Sequence, residues 1–354
     1  MLGGYRIPGL ISAGGGCRLY EARGDTVALN LSRPDDRDML PALLETDRLD
    51  PQDDAAVAAS IARADAAELV ERGRLMGLAI ARVQEAETHA PAACTVLAEG
   101  RPAVPPGHRK PRVVDLSALW AGPLAGHLLW LAGAEVIKVE SRTRPDGMRR
   151  GIPDFFALLN QGKASVVLDF RDREDMRALH DLLATADIVI EASRPRALAQ
   201  LGIEAAKIVE AKPGLVWVSI TAHGATGEPA NWVGFGDDCS VAGGLSRALH
   251  AATGKTGFGG DAVADPLTGL FAANLALKQW SAGRGGRFGI AMSGVIAKAV
   301  RETHASAPES WKACLTRWAL SEGAPFPQAC KRSIKPVADF GADTSRLLGS
   351  LAPC

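Results

Sequence analysis

The chain reads as an α/β protein: an open, mostly parallel sheet with helices on both faces, joined to a smaller α+β domain. Three observations predict this. Between Arg112 and Met292, short apolar runs alternate with helical patterns, which specifies parallel strands covered by crossover helices. Two of the runs, Val136-Ile137-Lys138-Val139 and Ile188-Val189-Ile190, are almost continuously hydrophobic, as strands buried on both faces must be. Residues 1–95 differ in composition, Gly-rich at first and then acidic and alanine-rich. The division that follows is a small α+β domain over 1–95, a Pro-rich linker over 96–111, a large Rossmann-like α/β domain over 112–300 and a C-terminal return segment over 301–354.

In order along the chain, Thr26-Val27-Ala28-Leu29-Asn30-Leu31 has the composition of a strand. From Asp53 to Val83 apolar residues (Val57, Ile61, Ala64, Ala67, Leu69, Val70, Leu75) recur, mostly three or four apart, between charges, the period of an amphipathic helix pair. Residues 96–111 have no such period and are interrupted by Pro102, Pro105, Pro106 and Pro111, the mark of a linker. Beyond it, strands are expected over 112–116, 135–139, 165–170, 187–191 and 215–221, and helices over 123–131, 174–183, 195–201 and 203–211. A further helix runs from Asp265 to about Trp280, Gly283-Arg284-Gly285-Gly286 turns, and a short strand follows over Arg287–Met292. The last 54 residues are weakly patterned.

Bulk chemistry excludes several functions. At 354 residues with 47% hydrophobic side chains the chain can bury two sizeable cores. Forty basic and forty acidic residues cancel, so no global field draws the chain to nucleic acid or to a membrane surface. Cys17, Cys94, Cys239, Cys314, Cys330 and Cys354 are scattered without a Cys-x-x-Cys pair; they read as reduced thiols of a cytoplasmic protein, with no disulfide scaffold. Asp237 and Asp238 have no metal-ligating neighbour at useful spacing, so no metal site is expected. Neither a signal peptide nor a membrane span is expected.

Asp265 is the residue around which the chemistry gathers. It precedes Pro266, and Asp followed by Pro is a favoured opening of a helix. A carboxylate capping that helix faces unpaired backbone N–H groups and the positive end of the helix dipole, so it is expected to stay ionised and available as a nucleophile. A second place of interest is the loop after the first strand of the large domain, Asp115-Leu116-Ser117-Ala118-Leu119-Trp120-Ala121-Gly122-Pro123. It joins a strand to a helix N-terminus and can cradle a phosphate or nucleotide edge. It carries neither Gly-x-Gly-x-x-Gly nor a P-loop lysine.

Several blocks occur in one order: Val114-Asp115-Leu116-Ser117 with Ala121-Gly122-Pro123, Ala132-Gly133-Ala134-Glu135-Val136-Ile137-Lys138-Val139-Glu140, Asn160-Gln161-Gly162-Lys163, Ala186-Asp187-Ile188-Val189-Ile190-Glu191, and Asp265 with Thr268-Gly269. From about Arg112 to Met292 the chain thereby resembles the family III CoA-transferases, the group of formyl-CoA, carnitine and bile-acid CoA-transferases related to α-methylacyl-CoA racemase. The resemblance implies an acyl-CoA:carboxylate CoA-transferase with Asp265 as catalytic aspartate, passing through an aspartyl-CoA thioester. It places Leu119, Trp120 and Ala121, then Arg142, then Leu168, Asp169, Phe170 and Arg171, and finally Ala192, Ser193 and Arg194 against CoA. It also offers Gly15 and Gly16 as an oxyanion loop.

The implied ligands are coenzyme A as co-substrate, with no tightly bound cofactor, and acyl-CoA with a carboxylic acid acceptor as partners. A homodimer, or pairing with a related chain, is implied too. Two departures stand out. After Glu191 the family continues Asn-Phe-x-Pro-Gly, where this chain has Ala192-Ser193-Arg194-Pro195-Arg196. Residues 1–95 look like the small domain that normally follows the large one. The alternatives are a 2-methylacyl-CoA racemase, for which Phe235 stands where an acid/base histidine is needed, and a CoA-binding module without catalysis. His223 reads as a surface loop residue, and His127 as packing or capping on the first helix.

Overall fold

The computed structural model describes residues 4–86, 90–327 and 332–349. Its large sheet has seven strands: β4 (Cys94–Glu99), β5 (Arg112–Asp115), β6 (Glu135–Ser141), β7 (Ala164–Leu168), β8 (Ile188–Glu191), β9 (Val216–Thr221) and β10 (Gly286–Ala291). They lie in the order β4-β10-β9-β8-β5-β6-β7, parallel throughout except for β4, which pairs antiparallel with β10. The strand order reverses between β5 and β8, and a doubly wound sheet opens a ligand crevice at such a switch point, beyond the carboxyl ends of the strands.

Side chains alternate across this sheet with the period of two that strands impose. Val113, Val136, Ile188, Ile190, Val216 and Val218 join one buried cluster with the Ala121–Leu131 and Ala264–Ser281 helices. Val114, Ile137, Val189 and Trp217, each one residue out of phase, join the cluster on the other face with Leu179, Leu182 and Leu183 of the Arg173–Thr185 helix. Each face thus has its own core, as the near-continuous apolar runs require.

The smaller unit is a three-stranded antiparallel sheet, β1 (Cys17–Ala22), β2 (Asp25–Asn30) and β3 (Ala79–Arg82), backed by the Asp54–Ile61 and Ala66–Met76 helices. Asp53 and Asp65 cap those helices, each accepting two backbone N–H groups. The helical reading to Val83 is corrected here: residues 79–82 form β3, because Ala79-Ile80-Ala81 is a short, fully buried run, which periodicity cannot tell from helix. Likewise the first residues of the stretch read as linker, 96–99, are the end of β4.

The N-terminal unit is tied into the large one. Phe258 donates its N–H to Gly9 O (3.0 Å), Ile7 to Ala324 O (2.8 Å), and Asn30 Nδ2 to Asp238 Oδ1 (3.2 Å). The Met292–Ser306 and Pro308–Leu320 helices follow β10, and residues 341–344 lie along the exposed edge of β7. There Ser165 N–H donates to Asp343 Oδ2 (2.9 Å) and Val167 N–H to Thr344 Oγ1 (3.0 Å), covering groups an edge strand would otherwise leave unpaired. No described helix is long and apolar enough to cross a membrane.

Candidate active site

Two helices converge at the carboxyl edge of the sheet. The Ala121–Leu131 helix and the Ala264–Ser281 helix approach so closely that a β-carbon on Gly269 would lie 2.8 Å from Ala121 O and 3.0 Å from Leu124 Cβ. Asp265 precedes Gly269 by four residues and shares its helix face. The carboxylate therefore meets the neighbouring helix at its N-terminus, where the Ala121 N–H bonds to it. A β-carbon on Gly236 would lie 2.1 Å from Asp265 Oδ2, so only glycine fits there.

Asp265 is not the helix cap. The helix begins at Ala264, whose N–H is taken by Ser240 Oγ (3.0 Å). Just upstream, Ala262 is held at φ 44°, in the left-handed region, with its N–H on Asp237 Oδ1 (2.9 Å). Such a conformation costs a non-glycine residue on the order of 1 kcal/mol and is retained where the surroundings enforce it. Ser240 and Asp237 thus do the capping, and the Asp265 side chain is left to face the Ala121 helix.

The expectation that Asp265 stays ionised is also corrected. Burial, followed by the charge of Asp237, pushes its carboxyl up to about 8; the Ala121 N–H opposes this, and Asp238 and Asp261 add to it. The side chain keeps some exposure to solvent even so. Asp237 and Asp238 are themselves raised, to about 6 and about 7, chiefly by burial. Two helix N-termini favour the anion, but desolvation and three neighbouring acids outweigh them.

The first loop is firmly built. Asp115 is fully buried and bonds Lys163 Nζ (2.8 Å) and the Ser117 N–H (3.0 Å) and hydroxyl. Lys163 reaches on to Pro123 O (2.8 Å) and Asn160 Oδ1 (3.1 Å), so the Asn160–Lys163 motif serves to fasten the strand–loop–helix junction. Burial opposes the charge on Asp115, yet Lys163 and Lys138 hold its carboxyl below the ordinary value. Leu119, 41% exposed, is also left-handed (φ 68°), with its N–H on Asp146 Oδ1 (3.0 Å). Asp146 is buried and paired with Lys138 (2.9 Å). Trp120 stands edge-on to Phe155, centroids 4.8 Å apart.

The remaining predicted CoA contacts follow the ends of β6, β7 and β8. Arg142 donates its backbone N–H to Leu168 O (2.8 Å) and extends an exposed guanidinium 3.9 Å from Asp175. Asp175 also accepts the Asp169 N–H (2.6 Å), and Asp169 accepts the Arg171 N–H (3.0 Å). Phe170 packs on the core while Arg171 is exposed. Ala192 and Arg194 are exposed after β8, and Ser193 bonds Glu191 through its N–H (2.9 Å) and hydroxyl (2.7 Å). Leu119, Trp120 and Ala121, Arg142, residues 168–171 and residues 192–194 thus follow the carboxyl ends of β5, β6, β7 and β8 respectively, with Asp265 bonded to Ala121.

Gly15 and Gly16 lie elsewhere, in the turn before β1. The Gly15 N–H donates within that turn to Ser12 O (2.8 Å), and the Ser12 hydroxyl bonds Asp237. The glycines therefore border the acid cluster through Ser12. Sequence reasoning missed Asp146, Asp175 and the part Asp237 plays. Pro145-Asp146-Gly147 carries a turn signal that could have drawn attention to the first. His223, read as a surface residue, is buried against Trp232, since the loop after β9 folds under the smaller unit.

Residues 110–312 match the model of CoA-transferase family III. The chain is 32% identical over 185 residues to a succinate–glutarate CoA-transferase of Agrobacterium fabrum, covering 47% of this chain and 46% of that protein. It is 33% identical over 180 residues to a succinyl-CoA–D-citramalate CoA-transferase of Chloroflexus aurantiacus, covering 47% and 43%. The chain thus spans less than half the length of these relatives. Among solved structures, a hypothetical protein (Rv3272) of Mycobacterium tuberculosis aligns with a TM-score of 0.50 at 26% identity, over 62% of this chain and 61% of that one.

Proposed function

Because the chain belongs to CoA-transferase family III, we propose that it transfers coenzyme A from an acyl-CoA to a carboxylic acid, with Asp265 as the nucleophile. The observation that carries this reading is the seat of Asp265: a carboxyl on the first turn of one helix, bonded by the first N–H of another, beside the loops at the switch point. Relatives named for CoA transfer between dicarboxylates support it and make dicarboxylates the first acceptors to screen.

In the proposed reaction an Asp265 oxygen attacks the thioester carbonyl, and collapse of the tetrahedral intermediate releases CoA thiolate and leaves a mixed anhydride. The thiolate attacks the aspartyl carbonyl, forming an Asp265–CoA thioester and expelling the donor as its carboxylate. The acceptor carboxylate reverses both steps. The Ala121 N–H, already aimed at the carboxyl, stabilises the oxyanion on the aspartyl carbonyl, and Gly15 and Gly16 are the further candidates for such donors. Arg142, Arg171 and Arg194 supply exposed cations for the phosphates, and Trp120 and Phe170 flank them. Coenzyme A is a co-substrate that leaves each cycle. A second chain, identical or related, completes the assembly in this reading.

The experiment is a transfer assay with isotopically labelled CoA thioesters and a panel of dicarboxylic acids, run on the wild type and on Asp265→Ala. Labelled acceptor-CoA formed only by the wild type supports the proposal. Turnover retained by the variant would refute it.

A further inference from the structure

A second group of buried polar side chains shares Asp238 with the acids around Asp265, and the transfer reaction does not use it. His223, in the loop after β9, and Asp238 and Cys239, on the Gly236–Ala242 helix, bring one ligand atom each to within 4.8 Å of one another, all three residues being buried. In sequence Asp238 had no ligand partner at useful spacing; the fold brings His223 to it from across the β9 loop.

Four features point to a cation. The His223 ring is 3% exposed, and its Nε2 has no hydrogen-bond partner, an expensive state for a buried polar atom. Asp238 is oriented by its other oxygen: Oδ1 accepts the Phe235 N–H (2.9 Å) and Asn30 Nδ2 (3.2 Å), while Oδ2 lies 3.9 Å from Cys239 Sγ. Metal-binding carboxylates are held by outer bonds of this kind. Gly234 closes the group, since a β-carbon there would lie 2.7 Å from both Asp238 Oδ2 and Cys239 Sγ. A cavity of about 70 Å³ adjoins His223, lined also by Glu85, Trp232 and Ser293 though not by Asp238 or Cys239, so water reaches the group from the His223 side.

We propose that His223, Asp238 and Cys239 bind one zinc ion, with water completing the tetrahedron. One imidazole, one carboxylate and one thiolate are ordinary zinc ligands. A tetrahedral ion with Zn–S and Zn–O bonds of about 2.3 and 2.0 Å sets the sulfur–oxygen separation near ~3.5 Å, a few tenths of an ångström inside the 3.9 Å here. A zinc-bound cysteine is a thiolate, so binding releases the Cys239 proton to solvent. The ion would join the smaller unit, which reaches Asp238 through Asn30, to the helix that packs on Asp265.

The test uses the full-length protein, stripped with chelator and titrated with Zn²⁺ and with Co²⁺. Native mass spectrometry is expected to show a single adduct of one zinc that plateaus at one equivalent. Cobalt is expected to give tetrahedral ligand-field bands with a sulfur-to-cobalt charge-transfer band, lost in Cys239→Ser. The wild-type mass measurement stands even if that variant folds poorly. No adduct, a series of adducts with no plateau (an adventitious ion only), or a charge-transfer band unchanged in Cys239→Ser would each overturn the proposal. CoA-transfer activity is not a readout, so failure here is separate from failure of the proposed reaction.

Discussion

Gly269 lies so close to the neighbouring helix that a β-carbon there would come within 2.8 Å of the Ala121 carbonyl oxygen. That contact fixes the spacing across which the Ala121 N–H reaches Asp265. Gly269→Ala should force the two helices apart. A loss of about 1–3 kcal/mol is expected from overpacking at a backbone contact, together with a fall in kcat larger than the change in KM for acyl-CoA. Denaturant unfolding and steady-state kinetics check it; an unaltered kcat would show that the helix spacing does not position the carboxyl.

Asp265→Asn removes a buried acid crowded by Asp237, Asp238 and Asp261. The amide keeps the shape and carries no charge. Transfer should be abolished while the unfolding free energy at pH 8 rises by roughly 1–2 kcal/mol, the trade seen where a functional group is held at a cost to stability. Thermal unfolding of the variant beside the wild type measures this, and a lowered stability would mean that the acid cluster is not a source of strain.

The same residue sets a pH dependence. Its folded value, about 8, lies above the ~3.9 of an unfolded aspartate, so the folded chain binds more protons between these pH values. Stability therefore falls as pH rises from about 4 to about 8, and Asp237 and Asp238 act in the same direction. Activity moves oppositely. If the carboxylate form is the nucleophile, kcat/KM should climb as pH rises through about 8, whereas a profile flat from pH 6 to 9 would argue against it.

Lys163 and Asp115 form a fully buried pair. Lys163→Met leaves the carboxylate without its partner and should cost about 3–5 kcal/mol. Because Lys163 also holds Pro123 O, the 116–121 loop should loosen and KM for acyl-CoA should rise. Urea unfolding and kinetics separate the two effects, and an unchanged KM would show that the loop does not contact CoA.

The parts of the molecule written in local pattern were legible without the structure. Runs such as Ile188-Val189-Ile190 revealed strands buried on both faces, and Asp265-Pro266 marked a helix start to within one residue. What escaped depended on distant side chains converging. The carboxyl of Asp265 is raised by Asp237 and Asp238, which arrive from another helix, and no local rule for helix caps contains them. His223 is buried by Trp232 and the smaller unit, so its loop position misled. Strand β3 was hidden because three apolar residues in a row carry no period.

The central claim is a covalent bond at one oxygen. Incubating the wild type with acyl-CoA alone, quenching, and mapping peptides by mass spectrometry should reveal CoA on the peptide containing Asp265, released by hydroxylamine and reduced by borohydride to leave homoserine at that position. Turnover without any such adduct, or with CoA attached at a different residue, would contradict the account.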